Sequence, residues 1–320
     1  MPRLPLLLLL SVLTLFPASA AEVVVRVGYF PNVTHAQGVV GRHSAREGRD
    51  WFEARLGPGV RVQWFAFNAG PSAMEALFAG SLDLTYVGPN PALNGYIRSR
   101  GDEVRILAGA AEGGAALVVP GDGRIARPAD FKGRRLATPQ LGNTQDVAAR
   151  AWLRRHGLRV ALTGGDVAVT PTANPDQLAL FRQGQLDGVW TVEPWVTRLE
   201  LEAGGRVLVE QPDAVTTVLA ARARFLRDRP ELAARFVAAH RELTDWINAH
   251  PDEARAQVRA GLSAEVRREI PEAVVAGSWR RLRFTAEVDR AQFDALVAEA
   301  QSVGFLRDAL PLDRLFSGRP

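Results

Sequence analysis

The sequence predicts an α/β fold built as two similar lobes. Short runs rich in β-branched residues alternate with helical patterns along most of the chain, which is typical of βαβ units with parallel strands. A second observation is a repeat of architecture, because a helix ending in Ala-Leu-Phe, a glycine turn and a Leu-Asp strand entry occur at residues 76–83 and again at 179–187. Composition is the third, since 47% of the 320 residues are apolar and 23% are charged. Such a chain can bury a sizeable core and is not mainly disordered.

The first α/β unit lies between residues 23 and 110. A strand at 23–27 opens it, and a helical pattern at 36–56 follows, with Thr34 as its N-cap. The later elements keep the same order, strand before helix. The strands are predicted at 61–65, 82–87 and 104–110, and the helices at 72–79 and 91–98.

The second α/β unit follows a strand at 115–119 and a turn region rich in Pro, Gly and Arg at 120–128. Its strands are predicted at 135–138, 167–170, 186–192 and 207–209, and its helices at 144–156, 175–183 and 194–203. After a further strand at 216–221 the pattern becomes almost wholly helical. Long amphipathic stretches are predicted at 230–261, 264–281 and 288–303.

Residues 1–20 have the pattern of a secretory signal peptide. A short basic start precedes an apolar run from Leu4 to Phe16 and small residues at 18–20, which predicts cleavage after Ala20. The apolar run would form a helix of about 20 Å, which is too short for a hydrocarbon core of about 30 Å. A lipoprotein needs a cysteine, and the sequence has none, which also excludes disulfides and cysteine nucleophiles. We therefore expect a soluble exported protein in a periplasm.

The charge balance does not indicate a nucleic-acid partner. Lys and Arg number 39 against 35 Asp and Glu, a net charge of +4. The arginines are scattered among acidic residues, whereas a nucleic-acid face needs a basic stripe. We expect no nucleic acid among the partners of this protein.

Polar loops that follow the strands of both units form the candidate ligand site. In open α/β sheets the ligand lies beyond the carboxyl ends of the strands, where helices begin. Helix N-termini offer free N–H groups and a partial positive charge, which suit an oxyanion. The candidate ligand-binding residues are Asn32, Thr34, His35, Asn68, Ser72, Asn90, Gly142, Asn143, Thr144, Gln145, Trp190 and Glu193.

Some of these residues have a structural alternative. Thr34 and Thr144 could simply cap their helices. Trp190 could hold an organic part of a ligand and Glu193 an amine, or the tryptophan could pack in a core and the carboxylate face a helix N-terminus. His35 could either donate a hydrogen bond to an anion or stand satisfied in the wall of the cleft.

Catalytic motifs are absent from the sequence. It contains no GxSxG elbow, no P-loop and no GxGxxG, and no HExxH spacing accompanies His35 and His43. We therefore expect a protein that is not an enzyme, with no catalytic residue, no metal and no cofactor.

Five segments resemble the nitrate, sulfonate and taurine branch of ABC-transporter periplasmic binding proteins, the aliphatic sulfonate-binding, NMT1-like family. The segments occur in the family's order and spacing across nearly all of the chain beyond residue 20. They are residues 27–36 (VGYFPNVTHA), 80–89, 128–138, 142–144 and 193–195.

The resemblance implies a type II periplasmic binding protein fold with two lobes. The first lobe would combine residues 22–112 with 216–320, and the second would be 113–215, each a mainly parallel sheet flanked by helices. Two crossovers near 111–114 and 213–216 would form the hinge. The lobes would close on a small solute and deliver it, as a monomer, to an ABC permease in the inner membrane.

The resemblance leaves the solute open. Members of this branch are linked to alkanesulfonates, taurine, nitrate, bicarbonate and thiamine-type pyrimidines. Loops with hydroxyls and amides but no Arg or Lys favour a small anion held by neutral donors, and the tryptophans favour an organic part, so an alkanesulfonate or taurine-like solute is expected. Two other classes remain as alternatives: a solute sensor module, and a relative of the pyrimidine-making enzyme that shares this fold.

Overall fold

The computed structural model describes residues 22–161, 164–308 and 310–316. The predicted signal peptide at 1–20 and its cleavage site lie outside these residues. Within the described ranges the strands form two sheets, one of six strands and one of five. None of the helices in these ranges is long and apolar enough to cross a membrane.

The six-stranded sheet and the helices packed on it are called the first lobe. Its strands are β1 (Val23–Tyr29), β2 (Val60–Ala66), β3 (Leu84–Val87), β4 (Val104–Gly113), β10 (Val215–Arg222) and β11 (Leu282–Phe284). They lie in the order β11-β4-β10-β3-β1-β2.

The five-stranded sheet and its helices are called the second lobe. Its strands are β5 (Ala115–Pro120), β6 (Arg135–Thr138), β7 (Ala168–Pro171), β8 (Gly188–Val192) and β9 (Gly205–Gln211). Their order, β7-β6-β8-β5-β9, matches β2-β1-β3-β10-β4 of the first lobe. The repeated Ala-Leu-Phe segments of the sequence precede the equivalent strands β3 and β8.

Both sheets are mixed, so the expectation of mainly parallel strands holds for only part of each. β1 pairs in parallel with β2 and β3, and β6 pairs in parallel with β7 and β8. β10 and β5 enter these sheets antiparallel to both neighbours. The chain passes from the first sheet to the second at Gly114, directly before β5, and returns at residues 212–214, directly before β10. Because each of these strands enters its sheet from the other lobe, it runs antiparallel to its neighbours.

Helices cover both sheets. The first lobe carries α1 (Ala36–Arg46), α2 (Glu53–Leu56), α3 (Gly70–Phe78), α4 (Pro89–Arg98), α8 (Ala223–Asp228), α9 (Pro230–Ala249), α10 (Pro251–Val266), α11 (Glu272–Trp279) and α12 (Ala291–Ser302). The second lobe carries α5 (Thr144–Arg155), α6 (Asn174–Arg182) and α7 (Trp195–Ala203). Short 3-10 turns occur at Val33–His35, Pro128–Phe131 and Asp313–Phe316.

Three predicted helices are divided in the structure. The predicted helix at 36–56 stops at Arg46, and α2 starts at Glu53 because the Asp50 carboxylate accepts the N–H groups of residues 52 and 53. The predicted helix at 230–261 is broken before Pro251, which has no N–H to donate. In the stretch at 264–281, α10 ends at Val266 and α11 begins only after Pro271, and β11 lies between this stretch and the next predicted helix.

The two lobes pack against each other on both sides of the cleft between them. On one side α11 of the first lobe lies on α7 of the second. On the other, α12 lies on α5, and the α5 side chain Val147 joins the same hydrophobic cluster as Phe293 and Leu306. The loops at the carboxyl ends of both sheets are thereby brought face to face.

Candidate functional site

A small cavity lies between the lobes, at the carboxyl ends of strands from both sheets. The volume that the centre of a water molecule can occupy inside it is about 20 Å³, which is enough for roughly one water. Seven of the twelve predicted site residues line it: Asn32, Thr34, His35, Asn68, Asn143, Thr144 and Gln145. The other lining residues are Phe30, Ala69, Gly70, Gly88, Pro91, Pro139, Asn174, Val192 and Thr216.

Four helices begin at this cavity. α3 and α6 start at the lining residues Gly70 and Asn174, α4 starts next to Gly88, and α5 starts at Thr144. Each has at least nine residues, and the first N–H groups of a helix have no partner within the helix. Among the described lining residues there is no Asp, Glu, Lys or Arg. The lining of the cavity therefore carries no formal charge. Its electrostatic potential comes from the helix dipoles and from neutral polar side chains.

His35 presents a ring nitrogen with no partner. The residue is 3% exposed, its ring lies on Phe30 with centroids 4.3 Å apart, and Nδ1 is 3.0 Å from the hydroxyl of Thr34. No hydrogen bond within the described chain reaches Nε2. Burial lowers the pKa of His35 to about 3, so the ring is neutral at neutral pH. When the Thr34 hydroxyl donates to Nδ1, Nε2–H is left to donate to an anion.

Asp146 fixes the loop that leads into α5. Its buried carboxylate accepts from the Thr138 hydroxyl at 2.7 Å, the Gly142 N–H at 2.9 Å and Nε of Arg150 at 3.0 Å. Gly142 has φ +76°, a conformation that favours glycine. Asn143 is the N-cap, since its Oδ1 accepts the N–H of Asp146 at 2.8 Å. The loop is held by its own hydrogen bonds in one geometry.

Two of the hydrogen bonds between described residues join the lobes beside the cavity. The indole N–H of Trp195, in the second lobe, donates to Oδ1 of Asn32, in the first, at 3.0 Å. The N–H of Asn90 donates to the Thr144 hydroxyl oxygen at 3.4 Å. Both contacts join a residue of one lobe to a residue of the other, so they exist only when the lobes lie close together.

Five predicted site residues do not line the cavity, three of them because of local structure. The Ser72 hydroxyl donates to the carbonyl of Ala69 inside α3. Gly142 lines a neighbouring groove, beside Phe305. Asn90 is buried next to the cavity without lining it, and neither polar atom of its side chain has a hydrogen-bond partner in the described chain. Asn68 does line the cavity, but it is an exposed residue at the rim.

Trp190 lies in the core of the second lobe, which corrects the expectation that it contacts a ligand. It is 1% exposed, its ring packs edge-on against Trp152 at 6.0 Å, and its N–H donates to Gln211 at 3.3 Å. Every residue of β8 is buried, because helices cover both faces of the sheet. Trp195, five residues later, is also buried in this lobe, and its indole N–H reaches the lining residue Asn32.

Glu193 is a structural carboxylate between the lobes, which corrects its assignment to an amine ligand. It is fully buried and accepts from the Thr197 N–H and hydroxyl at 3.1 and 2.9 Å, from Ser278 at 3.0 Å and from Arg281 at 3.2 Å. Burial raises the pKa of Glu193, while the hydrogen bonds from Thr197 and the charge of Arg281 oppose that rise. Arg281 also pairs with Glu200 and with Glu210. This network ties α7 to the end of α11.

Sequence reasoning missed several lining residues. Phe30 lies in the segment 27–36 that carries the resemblance, and Asn174 directly precedes the predicted helix at 175–183, but their side chains gave no separate signal. Thr216 was predicted as part of the crossover and as the start of a strand, and its hydroxyl donates to the carbonyl of Ala111 at 3.1 Å. Asp146 could have been found, because an acidic residue in the first turn of a helix is a common stabilising feature.

A family model described as the NMT1-like family matches residues 18–263, more than half of the chain. The chain is similar to the taurine-binding periplasmic protein of Escherichia coli strain K12, with 26% identity over 61% of this chain and 60% of that protein. It is also similar to a putative aliphatic sulfonates-binding protein of the same strain, with 30% identity over 66% of this chain and 62% of that protein. The match thus spans about three fifths of the length of these two relatives, which are named as binding proteins.

The fold is similar to that of solved structures, of which two are described here by name. The alkanesulfonate-binding protein SsuA from Xanthomonas axonopodis pv. citri bound to MOPS aligns with a TM-score of 0.69 and 20% identity over 89% of this chain and 93% of that chain. The periplasmic nitrate-binding protein NrtA from Synechocystis PCC 6803 aligns with a TM-score of 0.71 and 14% identity over 90% of this chain and 83% of that chain. The two-lobed α/β fold is therefore the fold of periplasmic binding proteins.

Proposed function

Because the chain belongs to the NMT1-like family, we propose that it is the solute-binding component of an ABC uptake transporter and that its solute is a small oxyanion, an alkanesulfonate or taurine. The observation that carries this proposal is the cavity between the lobes, which is lined by helix N-termini and neutral hydrogen-bonding side chains. Such an arrangement stabilises negative charge without a cationic side chain. The relatives named as taurine- and sulfonate-binding proteins support the same class of solute.

In this proposal the two lobes close on the solute by moving relative to each other. Residues 22–112 with 216–320 would move as one body and residues 113–215 as the other, about the passages at Gly114 and 212–214. The solute would favour the closed form because it contacts loops of both lobes only there. The protein would capture and release its solute without changing it chemically, so in this proposal it is not an enzyme.

A groove beside the cavity offers room for the organic part of the solute. It has a volume of about 740 Å³ and shares Pro91 with the cavity. Its lining includes the apolar side chains Met74, Phe78, Leu141 and Phe305 and the charged side chains Glu75, Arg98 and Glu103. Phe78 and Leu141 are 37% and 40% exposed. Since Trp190 is buried in the core, we assign the hydrocarbon part of an alkanesulfonate to this groove instead.

The cellular setting is part of the same proposal. The signal pattern at 1–20 would export the chain and be cleaved, and without a cysteine the product would not be a lipoprotein. The protein would act as a monomer in the periplasm and deliver its solute to an ABC permease in the inner membrane. The relatives named as periplasmic support this location.

Nitrate is the second candidate solute, and the small volume of the cavity favours it. A thermal-unfolding screen distinguishes the candidates, since a ligand that binds only the folded protein raises its stability by RT ln(1 + [L]/Kd). The protein is first unfolded and refolded to remove any carried-over ligand, and then heated with taurine, ethanesulfonate, octanesulfonate, nitrate, bicarbonate or a pyrimidine. We expect the largest rise in Tm with a sulfonate. A rise with nitrate alone would assign the site to nitrate, and no rise with any compound would contradict the proposed function.

A further inference from the structure

Arg281 of the first lobe is paired with three carboxylates of the second lobe. It lies between α11 and β11. Its Nη1 is 3.2 Å from Glu193, its Nη2 is 2.9 Å from Glu200 and its Nε is 3.2 Å from Glu210. The first of these acids directly follows β8, the second belongs to α7 and the third to β9. Each nitrogen of the guanidinium group therefore meets a different element of the other lobe.

This ion cluster lies where the chain passes between the two sheets. A methyl group on Gly113 would come within 2.3 Å of the carbonyl oxygen of Arg281 and within 2.7 Å of that of Pro212. Gly113 and Gly114 have φ +74° and +70°, a conformation that favours glycine. The carbonyl of Gly114 accepts the N–H of Glu193 at 2.9 Å. The cluster is therefore in contact with both passages about which the lobes would turn.

The buried carboxylate of Glu193 accepts hydrogen bonds from both lobes. Thr197 donates from the second lobe through its N–H and its hydroxyl, whereas Ser278 and Arg281 donate from the first lobe. The helices that carry these donors are in close contact, since a methyl group on Gly277 would come within 2.6 Å of the Thr197 side chain. A rotation that opened the cleft would move both first-lobe donors relative to the carboxylate. Because a buried carboxylate without its donors is costly, the network favours the closed arrangement.

The shape of the guanidinium group makes this stabilisation specific to one arrangement of the lobes. The group is planar and rigid, and its N–H donors point in fixed directions. Since the arginine belongs to one lobe and all three acids to the other, a relative rotation changes all three distances at once. On the opposite flank of the cleft, Arg155 and Glu299 form a single, partly exposed ion pair between the lobes. Such a pair contributes little to stability.

We propose that Arg281 is a positioning residue that stabilises the closed form and thereby raises the affinity for every solute by a common factor. The proposal rests on the proposed function, since closing of the lobes is part of that function. Neither Arg281 nor its three acids are among the described residues that line the cavity. When a solute binds only the closed form, its apparent Kd is inversely proportional to the closed fraction of the ligand-free protein. Loss of the arginine should therefore weaken all solutes alike.

The test compares variants of the cluster with a control two residues away. Arg281→Gln removes the charge, Arg281→Lys keeps the charge without the three-way geometry, and Glu210→Gln alters the most exposed of the three acids. Arg283→Gln is the control, because Arg283 pairs with Glu112 inside the first lobe. Titration calorimetry of each refolded variant with taurine, ethanesulfonate and nitrate gives the affinities and their ratios.

The distance between the lobes gives a readout that needs no solute. The chain contains no cysteine, so Ala79→Cys and Gln183→Cys introduce two thiols that can be spin-labelled selectively. Both positions are exposed, and they directly follow α3 in the first lobe and α6 in the second. Pulsed electron paramagnetic resonance then measures the distribution of distances between the labels, with and without solute.

We expect Arg281→Gln to weaken each solute that the wild type binds by about tenfold and to leave the ratios between solutes within about twofold. Arg281→Lys should recover part of the affinity, Glu210→Gln should lose about threefold, and Arg283→Gln should match the wild type. Without solute, Arg281→Gln should show a larger open population than the wild type. Glu210→Gln decides the matter if Arg281→Gln does not fold.

An unchanged affinity, or a loss that differs among the solutes, would overturn the proposal and leave the proposed function standing. If the wild type bound none of the three compounds, the proposed function itself would fail. The labelled, ligand-free proteins would then still test the role of Arg281, because equal distance distributions in the wild type and Arg281→Gln would overturn it.

Discussion

Gly88 of the first lobe lies so close to Thr144 of the second that a methyl group on Gly88 would come within 2.5 Å of the threonine hydroxyl oxygen. The backbone of Gly88 has φ −65° and ψ 151°, which any residue can adopt. The need for glycine here comes from the approach of the other lobe, and the contact is at the edge of the cavity. The distance between the lobes at this point is therefore sensitive to a single methyl group.

Gly88→Ala should weaken solute binding by about tenfold or more, because overpacking of about 1–3 kcal/mol opposes the closed form only. The Tm of the ligand-free protein should change little. Titration calorimetry with the solute found in the screen measures the first effect. The double variant Gly88→Ala/Thr144→Ala removes the clashing oxygen and should be less impaired than the sum of the two single variants. Strict additivity would show that the two residues do not meet in the bound form.

Asn143 and Thr144 are adjacent but should respond differently to alanine. Asn143→Ala removes the N-cap of α5 and should cost about 1 kcal/mol of stability as well as affinity. Thr144→Ala should weaken solute binding about as much as Asn143→Ala does. It should leave the Tm nearly unchanged, since the Thr144 hydroxyl is not needed for the cap. Urea unfolding combined with calorimetry separates the two. If Thr144→Ala lost stability and Asn143→Ala did not, the assignment of the cap to Asn143 would be contradicted.

Glu193→Ala should destabilise the protein by about 3 kcal/mol, because it removes a buried acceptor shared by Thr197, Ser278 and Arg281. The preference between taurine and ethanesulfonate should not change, since the carboxylate does not line the cavity. Glu202→Ala is the control, because Glu202 forms an i,i+4 pair with Arg198 on α7 and should cost about 0.5 kcal/mol or less. A selective loss of taurine binding in Glu193→Ala would instead place this carboxylate at the amine.

Acid should destabilise the protein through its buried histidines. Burial lowers the pKa of His35 to about 3 and that of His240 to about 4, both below the usual 6.5. The unfolded chain then binds more protons, so the stability that each neutral ring contributes is complete above pH 6.5 and is lost as pH falls below it. For His35→Gln we expect the fall in unfolding free energy between pH 7 and 5 to be smaller by about 2 kcal/mol.

Urea unfolding at several pH values measures this difference. His250→Gln is the matched control for the replacement of an exposed histidine by glutamine. Equal slopes for His35→Gln and the wild type would mean that the ring is not neutral and buried in the folded protein.

If the groove holds the hydrocarbon part of the solute, the affinity for an alkanesulfonate should depend on the length of its alkyl chain. Each methylene buried there contributes about 0.8 kcal/mol, so octanesulfonate should bind more tightly than ethanesulfonate. Leu141→Ser should reduce that gain, whereas Leu201→Ser should not, since Leu201 is 60% exposed on α7 and does not line the groove. Competition titrations with the two sulfonates give the gain for each variant. An equal gain in Leu141→Ser and the wild type would place the hydrocarbon chain elsewhere.

The alternation of strands and helices could be predicted because its signals are local. Apolar periodicity, glycine turns and the repeated Ala-Leu-Phe segment each lie within about a dozen residues. Strand direction could not be predicted in the same way. β10 enters the first sheet antiparallel because it returns from the second lobe, and that return is a property of the whole chain.

The roles of single side chains depended on distant partners. Glu193 is neutralised by Arg281, 88 residues later in the sequence, so no local pattern could distinguish it from a ligand-binding acid. Trp190 and Trp195 look alike in the sequence and both are buried in the second lobe, and only the three-dimensional structure shows that the second donates to Asn32 at the cavity. The polar loop residues were easier to predict, since their position after strands and before helices is itself the feature that forms the cavity.

The central claim is that a small oxyanion is held between the lobes by neutral donors. A crystal structure of the refolded protein with ethanesulfonate tests it directly. We expect sulfonate oxygens about 2.7–3.1 Å from the amide nitrogens of Asn32, Asn174 and Gln145 and from backbone N–H groups at the helix N-termini. A sulfonate bound outside this cavity, or bound within it through an arginine side chain, would contradict the account.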